Sequence, residues 1–175
     1  MKIMKKISLF IFTLISMFAF TFGVSALDVN DEASLREALS KGGDVKLTEN
    51  ITTSTKRIII DKDVNLDLNG KTLTSLIDVT SNKTLTISSS VEGGKFVALA
   101  NEYSDEEKKD VETVYAIGAD NAKVIVNSGD VSSNDKQYGF YALNGGTIII
   151  NGGNHTTGSA VLSGNNTTGA MSFAV

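Results

Sequence analysis

Side chains that could do acid–base or metal chemistry are few in this sequence. The chain has one histidine, His155, and no cysteine. A lone histidine without an acidic neighbour lacks the positioned partner that a general base or a metal ligand needs. Arg36 falls on a predicted helix and Arg57 precedes the first regular strand pattern, so we expect both arginines to be structural or solvating. The sequence therefore predicts no complete catalytic set.

The acidic residues do not indicate a metal site either. Asp61 and Asp63 flank Lys62 on a predicted turn. Ca²⁺ takes about six to eight oxygen ligands, and this turn offers only a pair of carboxylates. We expect a solvated turn, no metal and no cofactor.

Tyrosines suggest a different chemistry, the binding of sugars. Tyr115 and Tyr141 fall near equivalent places in two similar segments, and Tyr103 lies on the stretch before them. An outward tyrosine ring stacks on a sugar ring, while its hydroxyl bonds to sugar hydroxyls. Phe140 and Tyr141 are adjacent and must point to opposite faces of a strand, so we expect Phe140 inside and Tyr141 outside. The candidate glycan-binding residues are Tyr103, Tyr115 and Tyr141.

The scaffold for these residues is indicated by residues 63–74, which read DVNLDLNGKTLT. Apolar and polar residues alternate as on a half-buried strand, and a second short strand follows Asn69-Gly70. This pair often closes a hairpin, but it also suits any corner that needs a left-handed backbone. The fold depends on which of the two it forms.

Internal repeats favour the corner. Residues 124–129, VIVNSG, match residues 148–153, IIINGG, at an offset of 24, and residues 114–117, VYAI, match residues 140–143, FYAL, at an offset of 26. Short strands in units of this length are typical of a solenoid, in which each coil stacks on the next. Evenly spaced strands also occur in sandwiches and barrels, so these folds remain alternatives. In a solenoid we expect the corner asparagines to stack from coil to coil: Asn69, Asn127 and Asn151.

The repeat also predicts which side chains face the interior. We expect alternating strand residues to form inward columns: Leu66, Leu68, Leu85, Ile87, Val124, Val126, Ile148 and Ile150. Asn65, Asp67 and Thr86 should point outward. Ile125 and Ile149 occupy equivalent outward positions, and we expect them to form an apolar stripe that contacts a partner or another subunit.

The ends of the chain carry further signals. Residues 1–26 are predicted to be a secretion signal, because three lysines precede the apolar run 7–22 and the small-residue motif Val24-Ser25-Ala26. Its removal takes away lysines but no acid, so the exported chain is more acidic than the net charge of −4 of the full sequence. An acidic chain without a basic cluster is a poor partner for nucleic acid.

Residues 27–44 are predicted to be a capping segment with a short amphipathic helix, and residues 45–175 to be coils that are incomplete at the C-terminus. The helix should begin at Asn30 or Asp31 and end at Gly42-Gly43. Its predicted apolar stripe, which would cover the open end of the coils, consists of Leu35, Ala38 and Leu39. Residues 101–112, NEYSDEEKKDVE, break the repeat, and we expect a long corner loop with a helical turn.

The capping segment, DVNLDLNGKTLT and the Gly-Gly-containing coils together resemble the right-handed parallel β-helix of the pectate-lyase-like superfamily, from about Leu27 onward. The resemblance implies an all-β, right-handed, single-stranded parallel β-helix of about five irregular coils of 20–26 residues. It is specific for architecture and not for activity. The calcium-binding acids, catalytic arginine and paired aspartates of enzymes with this fold have no matching positions here.

Two functions agree with these features. The first is an exported cell-surface domain without catalysis, whose role is structural, adhesive or glycan-binding. The alternative is the N-terminal part of a polysaccharide lyase or glycoside hydrolase whose active site lies beyond Val175. The first requires sugar binding by this chain itself, whereas the second requires further coils with clustered acids and arginine.

Overall fold

The computed structural model describes residues 25–134, 137–156 and 171–173, the last three through their backbone only. The predicted secretion signal lies almost wholly outside the described residues, as does most of the chain after Thr156. The capping segment contains strand β1 (Leu27–Val29) and helix α1 (Glu32–Lys41).

After the helix the chain forms strands in successive repeats. The first repeat contains β2 (Gly43–Leu47), β3 (Ile51–Thr52) and β4 (Ile58–Ile60), and the second contains β5 (Val64–Asp67), β6 (Thr72–Ser75) and β7 (Ile77–Val79). The third contains β8 (Thr84–Ser88), β9 (Lys95–Ala98), β10 (Asn101–Ser104), β11 (Lys109–Glu112) and β12 (Tyr115–Asp120). The fourth contains β13 (Lys123–Val126), β14 (Asp130–Ser132) and β15 (Tyr138–Leu143), and β16 (Thr147–Ile150), β17 (His155–Thr156) and β18 (Met171–Phe173) follow.

All of these strands except β10 and β11 form three parallel sheets that the chain visits in turn. Sheet A has the order β1-β2-β5-β8-β13-β16-β18, sheet B the order β17-β14-β9-β6-β3, and sheet C the order β15-β12-β7-β4. Each strand pairs with its counterpart in the neighbouring repeat; Val64, for example, pairs with Leu85 and Val124 with Ile148. The fold is therefore all-β with mostly parallel sheets, an arrangement compatible with a β-helix.

Asn69-Gly70 forms a corner and not a hairpin. The two residues connect β5 in sheet A to β6 in sheet B, and both have positive φ values, 50° and 72°. Asn and Gly adopt this left-handed conformation at the lowest cost, which explains their presence at the bend. The preference for a corner is confirmed.

The core lies between the three sheets. All the predicted inward residues are buried: Leu66, Leu68, Leu85, Ile87, Val124, Val126, Ile148 and Ile150. Ile125 and Ile149 pair in register on β13 and β16 and are partly exposed, as predicted for outward residues. Phe140 is buried while Tyr141 is partly exposed, which confirms the predicted alternation.

Helix α1 forms as its sequence predicts. Asp31 is the N-cap, and its carboxylate accepts a hydrogen bond from the Ser34 backbone N–H at 2.7 Å. Gly42, with φ of 78°, ends the helix. The helix packs against β1, β2 and β4 through buried residues that match the predicted stripe, Leu35, Ala38 and Leu39. It therefore covers the first repeat as a cap.

The register of β12 and β15 differs from the prediction. Ile117 pairs with Phe140, whereas the offset of 26 would have paired it with Leu143. Ile117 and Phe140 are both buried, so matching the inward positions decides the register, and the similarity of VYAI to FYAL does not. Tyr115 consequently pairs with Tyr138.

The segment 101–112 also differs from the prediction. It forms an antiparallel hairpin of β10 and β11 in place of the expected long loop, and the two strands are joined by one helical turn, in which the Lys108 N–H donates to the Ser104 carbonyl at 2.9 Å. The hairpin extends back to the first repeat, where the Tyr103 N–H donates to the Thr55 carbonyl at 3.0 Å and the Thr55 hydroxyl donates to Asp110 at 2.8 Å. Backbone pairing stabilises this insertion more than an irregular loop would, because its backbone N–H and C=O groups find partners on both sides.

The predicted asparagine stack is confirmed only in part. The Asn151 side-chain N–H donates to Asn127 Oδ1 at 2.8 Å, so these two residues stack from coil to coil. Asn69 lies two positions further along its corner and donates to the Leu47 carbonyl instead. The column therefore excludes Asn69.

Asp67 is expected to stabilise this corner. Its Oδ1 accepts hydrogen bonds from the backbone N–H groups of Asn69 and Ser90, each at 2.8 Å. Partial burial alone would raise the pKa of Asp67, but the hydrogen bonds from Ser90 and Asn69 outweigh it and lower the pKa. Asp67→Ala should lower the free energy of unfolding by about 2 kcal/mol at neutral pH.

The pH dependence of Asp67→Ala follows from that lowered pKa. A carboxyl with a lowered folded pKa stabilises above its unfolded pKa, and this stability is lost as the pH falls through the folded value. The difference in the free energy of unfolding between wild type and Asp67→Ala, measured by urea denaturation, should therefore decrease only below the ordinary aspartate pKa of 3.8. Asp105→Ala, on the exposed hairpin turn, is the control. An unchanged stability of Asp67→Ala at neutral pH would contradict this role.

Candidate site on the outer face of sheet C

The candidate site lies on the outer face of sheet C. Parallel pairing places Ile59, Asp78, Gly118 and Tyr141 side by side, one from each strand of the sheet. Their neighbours Ile60, Val79 and Ala119 are buried, so this row faces outward. The row contains an apolar side chain, a carboxylate, a gap and an aromatic ring.

Gly118 provides the gap, which the ring of Tyr115 occupies. A Cβ atom at Gly118 would lie 2.8 Å from Tyr115 Cε2 and 2.3 Å from Asp78 Oδ1. Any larger residue would therefore displace the ring or the carboxylate. The Tyr115 hydroxyl donates to Asp78 Oδ2 at 3.2 Å, which fixes the ring across the sheet.

The Tyr115 ring is stacked on both sides. The Tyr141 ring lies parallel to it with 5.0 Å between centroids and 18° between planes. The Arg57 guanidinium carbon lies 4.1 Å from the Tyr115 centroid. Because β12 lies between β15 and β7, Tyr141 and Arg57 approach from opposite sides. Both contacts favour a fixed, flat tyrosine.

Arg57 holds several repeats together. Its guanidinium forms an ion pair with Glu102 on β10, and its Nη1 lies 3.3 Å from Asp78 Oδ1 on β7. It also donates to the Tyr115 carbonyl at 3.0 Å. Its side chain is only 12% exposed. We call Arg57, Asp78, Glu102, Tyr115 and Tyr141 the Arg57 cluster.

The Arg57 cluster shifts the acidity of its members. Burial raises the pKa of Asp78, against the opposing effects of Arg57 and the Tyr115 hydroxyl, and the negative charges of Glu102 and Asp120 raise it further. Burial, and next the charge of Asp78, raise the pKa of Tyr115 to about 12. Tyr115 is therefore a neutral hydrogen-bond donor at neutral pH, and negative charge is concentrated around Asp78.

The structure brings together two of the three candidate tyrosines. Tyr115 and Tyr141 stack, whereas Tyr103 lies on β10 next to Glu102 and, by strand alternation, points away from Arg57. Tyr103 is 40% exposed. Ile125 and Ile149 lie on the outer face of sheet A, apart from the Arg57 cluster.

Arg57 and His155 both make structural contacts. Arg57 was expected to be structural or solvating; it is structural but central to the site. His155 is partly buried, with its ring centroid 5.6 Å from that of Phe140 in an edge-to-face arrangement, and its Nδ1 accepts a hydrogen bond from the Val131 N–H at 3.2 Å. Its role within the described residues is to pair the last two repeats.

Sequence reasoning missed Asp78, Glu102 and Gly118. No local motif marks them, because the three residues come from different strands and meet only through the register of the repeats. A correct alignment of β7, β12 and β15 would have placed Asp78 and Gly118 beside Tyr141. Glu102 would also have required recognition of the hairpin.

The part of the chain that the structure describes contains neither a metal-ligating cluster nor a membrane-spanning helix. No group of three or more His, Cys, Asp or Glu side chains in residues 25–134 and 137–156 is arranged to hold a metal ion. In the same part of the chain, no helix has the length and apolar character needed to cross a membrane.

The chain has no recognised counterpart in the three comparisons with known proteins. No protein-family model, no curated protein and no solved structure matches it. The resemblance to the pectate-lyase-like superfamily therefore rests on sequence features and on the parallel sheets alone.

Proposed function

We propose that the chain is an exported, right-handed, single-stranded parallel β-helix of the pectate-lyase-like type, which acts at the cell surface as a structural and adhesive domain and binds glycan on the Arg57 cluster. The strand order of the three sheets and the cap formed by α1 support the architecture. The lysine-led apolar segment 1–26 supports export.

The main support for glycan binding is the stacking of the Tyr141 ring on the fixed ring of Tyr115. A rigid, partly exposed aromatic ring offers a flat surface to the C–H face of a sugar at little entropic cost. The carboxylates of the cluster accept hydrogen bonds from sugar hydroxyls. An apolar ring beside a few convergent polar groups is the usual composition of a sugar subsite.

Removing the Tyr141 ring should weaken glycan binding. A glycan array identifies the ligand, and titration calorimetry then compares Tyr141→Ala with Tyr141→Phe. Tyr141→Ala should weaken binding about tenfold, which corresponds to the loss of one stacking contact. Tyr141→Phe keeps the ring and should retain most of the affinity. Equal affinity of wild type and Tyr141→Ala would contradict the proposed site.

Tyr103 is tested separately, because it lies on the hairpin. If the hairpin forms part of the same binding surface, Tyr103→Ala also weakens binding. If Tyr103→Ala alone removes binding while Tyr141→Ala does not, the glycan site lies on the hairpin and not on sheet C.

Export makes a prediction about the mature N-terminus. Signal peptidase should cleave after Ala26, because small residues occupy the last and third-last positions of the motif. Mass spectrometry of the extracellular protein should give a chain that begins at Leu27. Extracellular protein that retains residues 1–26 would contradict a cleaved signal.

A further inference from the structure

The glycan site is surrounded by negative charge. Asp78 and Glu102 belong to the Arg57 cluster, and Asp120 lies outward on β12, two residues after Gly118. Two residues along a strand span about 7 Å, which places Asp120 within reach of a sugar on Tyr141. Asp120 Oδ1 accepts one hydrogen bond, from the Asn144 side chain at 2.7 Å, and no described basic group forms an ion pair with it.

The guanidinium of Arg57, the cation of the site, is already paired with groups of the protein. Arg57 is mostly buried and is shared between Glu102, Asp78 and the carbonyl of Tyr115. Its guanidinium face lies against the Tyr115 ring. A carboxylate ligand needs a free arginine or lysine with open donor positions, and Arg57 has no such capacity.

Arg57 supplies one positive charge for two carboxylates, those of Asp78 and Glu102. Asp120 adds another negative charge on the same face. A uronic acid at Tyr141 would bring its carboxylate towards Asp120, with the net negative charge of the cluster behind it, and would be repelled. The acidic character of the whole exported chain adds to this repulsion at long range.

We propose that the glycan bound at the Arg57 cluster carries amine groups and not carboxylates: the sugar ring stacks on the face of Tyr141 that Tyr115 leaves free, while its ammonium group lies against Asp120. This inference rests on the proposed function, since it specifies the ligand of the same site. An amino sugar satisfies both features of the site, because its C–H face contacts the ring and its ammonium donates to the Asp120 carboxylate.

Three hexasaccharides test the charge preference directly. The probes are oligomers of glucosamine, of N-acetylglucosamine and of galacturonate, titrated calorimetrically into the exported chain at low and moderate salt. The first two have the same backbone and differ in charge, so they separate the effect of the amine from that of the ring. The glucosamine oligomer should bind about fivefold or more tightly than the acetylated one, and this gap should shrink with added salt.

Asp120→Asn removes one charge and preserves the size of the side chain. It should weaken binding of the glucosamine oligomer about fivefold and leave the acetylated oligomer unchanged. Asp105→Asn, on the hairpin turn, removes one charge away from the site and should change neither. A circular dichroism spectrum of each variant checks that the fold is intact.

The outcomes separate this inference from the proposed function. Equal affinity for the glucosamine and acetylated oligomers, or an equal loss of affinity for both with Asp120→Asn, would contradict the charge preference. Either result would still support a glycan site. Preferred binding of the galacturonate oligomer would overturn it outright. If none of the three oligomers bound, and no other glycan did, the proposed function itself would fail.

Discussion

Val126→Asp should unfold the protein at room temperature. Val126 is fully buried in the core, and its position in sheet A pairs with Ile87 on one side and Ile150 on the other. An aspartate there would have no partner for its charge, which costs more than about 4 kcal/mol. A domain of this size has a stability of about 5–15 kcal/mol, so most of it would be lost. Circular dichroism and urea denaturation measure the change.

Ile125→Asp is the matched control for Val126→Asp. It places the same charge one residue earlier on the same strand, but on the outer face of sheet A, where Ile125 is partly exposed beside Ile149. The variant should fold. If the Ile125 and Ile149 stripe contacts a second subunit, sedimentation should show a smaller species than wild type. A folded Val126→Asp variant, or an unfolded Ile125→Asp variant, would contradict the assignment of inner and outer faces.

Arg57→Met should be the most damaging change outside the apolar core. It keeps the length of the side chain but leaves Asp78 and Glu102 without their common cation. Breaking a largely buried ion pair by removing one partner costs about 3 kcal/mol or more. The hairpin loses its ionic contact with the first repeat, and the Tyr115 ring loses its stacked guanidinium. Urea denaturation at neutral pH should show the loss.

The pH dependence distinguishes this mechanism from a general packing defect. The folded pKa of Asp78 is raised, so the folded state binds a proton more tightly than the unfolded state and gains stability as the pH falls through that value. Without Arg57 the carboxylates repel each other more strongly, and the deficit of Arg57→Met should shrink as the pH is lowered from neutral. A deficit that stays constant with pH would point to lost packing instead.

Arg36→Met is the control for Arg57→Met. Arg36 on α1 forms an ion pair with Glu32 at 2.7 Å, but both side chains are 31% exposed. Solvent screens that pair, so its loss should cost only about 1 kcal/mol and should show little recovery at low pH. Similar losses in the two variants would contradict the central role of Arg57.

Local patterns in the sequence were sufficient for the core and the cap. Alternation around Leu66 and Leu85 predicted the inward columns, because burial of one strand face follows directly from the twofold period. The helix was predictable for the same reason, since its cap at Asp31 and its stop at Gly42 are local features.

The candidate site was not predictable from such patterns. Arg57 contacts residues 21, 45 and 58 positions later in the chain, namely Asp78, Glu102 and Tyr115. Between β8 and β13 the hairpin insertion stretches the repeat to 39 residues, compared with 21 and 24 in neighbouring repeats. This irregularity hides the register on which the cluster depends. Gly118 had no signal of its own, because its importance comes from the ring that covers it.

The parallel pairing of successive repeats is the basis of the whole account, and cysteine cross-linking tests it most directly. The natural chain has no cysteine, so introduced pairs give an unambiguous result. Asn65 and Thr86 are register partners on β5 and β8. Neighbouring strands lie about 4.8 Å apart, which is within the range of Cα distances that a disulfide spans.

The double variants Asn65→Cys/Thr86→Cys and Asn65→Cys/Thr74→Cys are oxidised mildly in the folded state and compared by mass spectrometry. Parallel pairing predicts rapid disulfide formation between positions 65 and 86 and none between 65 and 74. An antiparallel hairpin closed by Asn69-Gly70 would bring positions 65 and 74 together instead. A disulfide between 65 and 74, without one between 65 and 86, would contradict the stacked repeats and the site built on them.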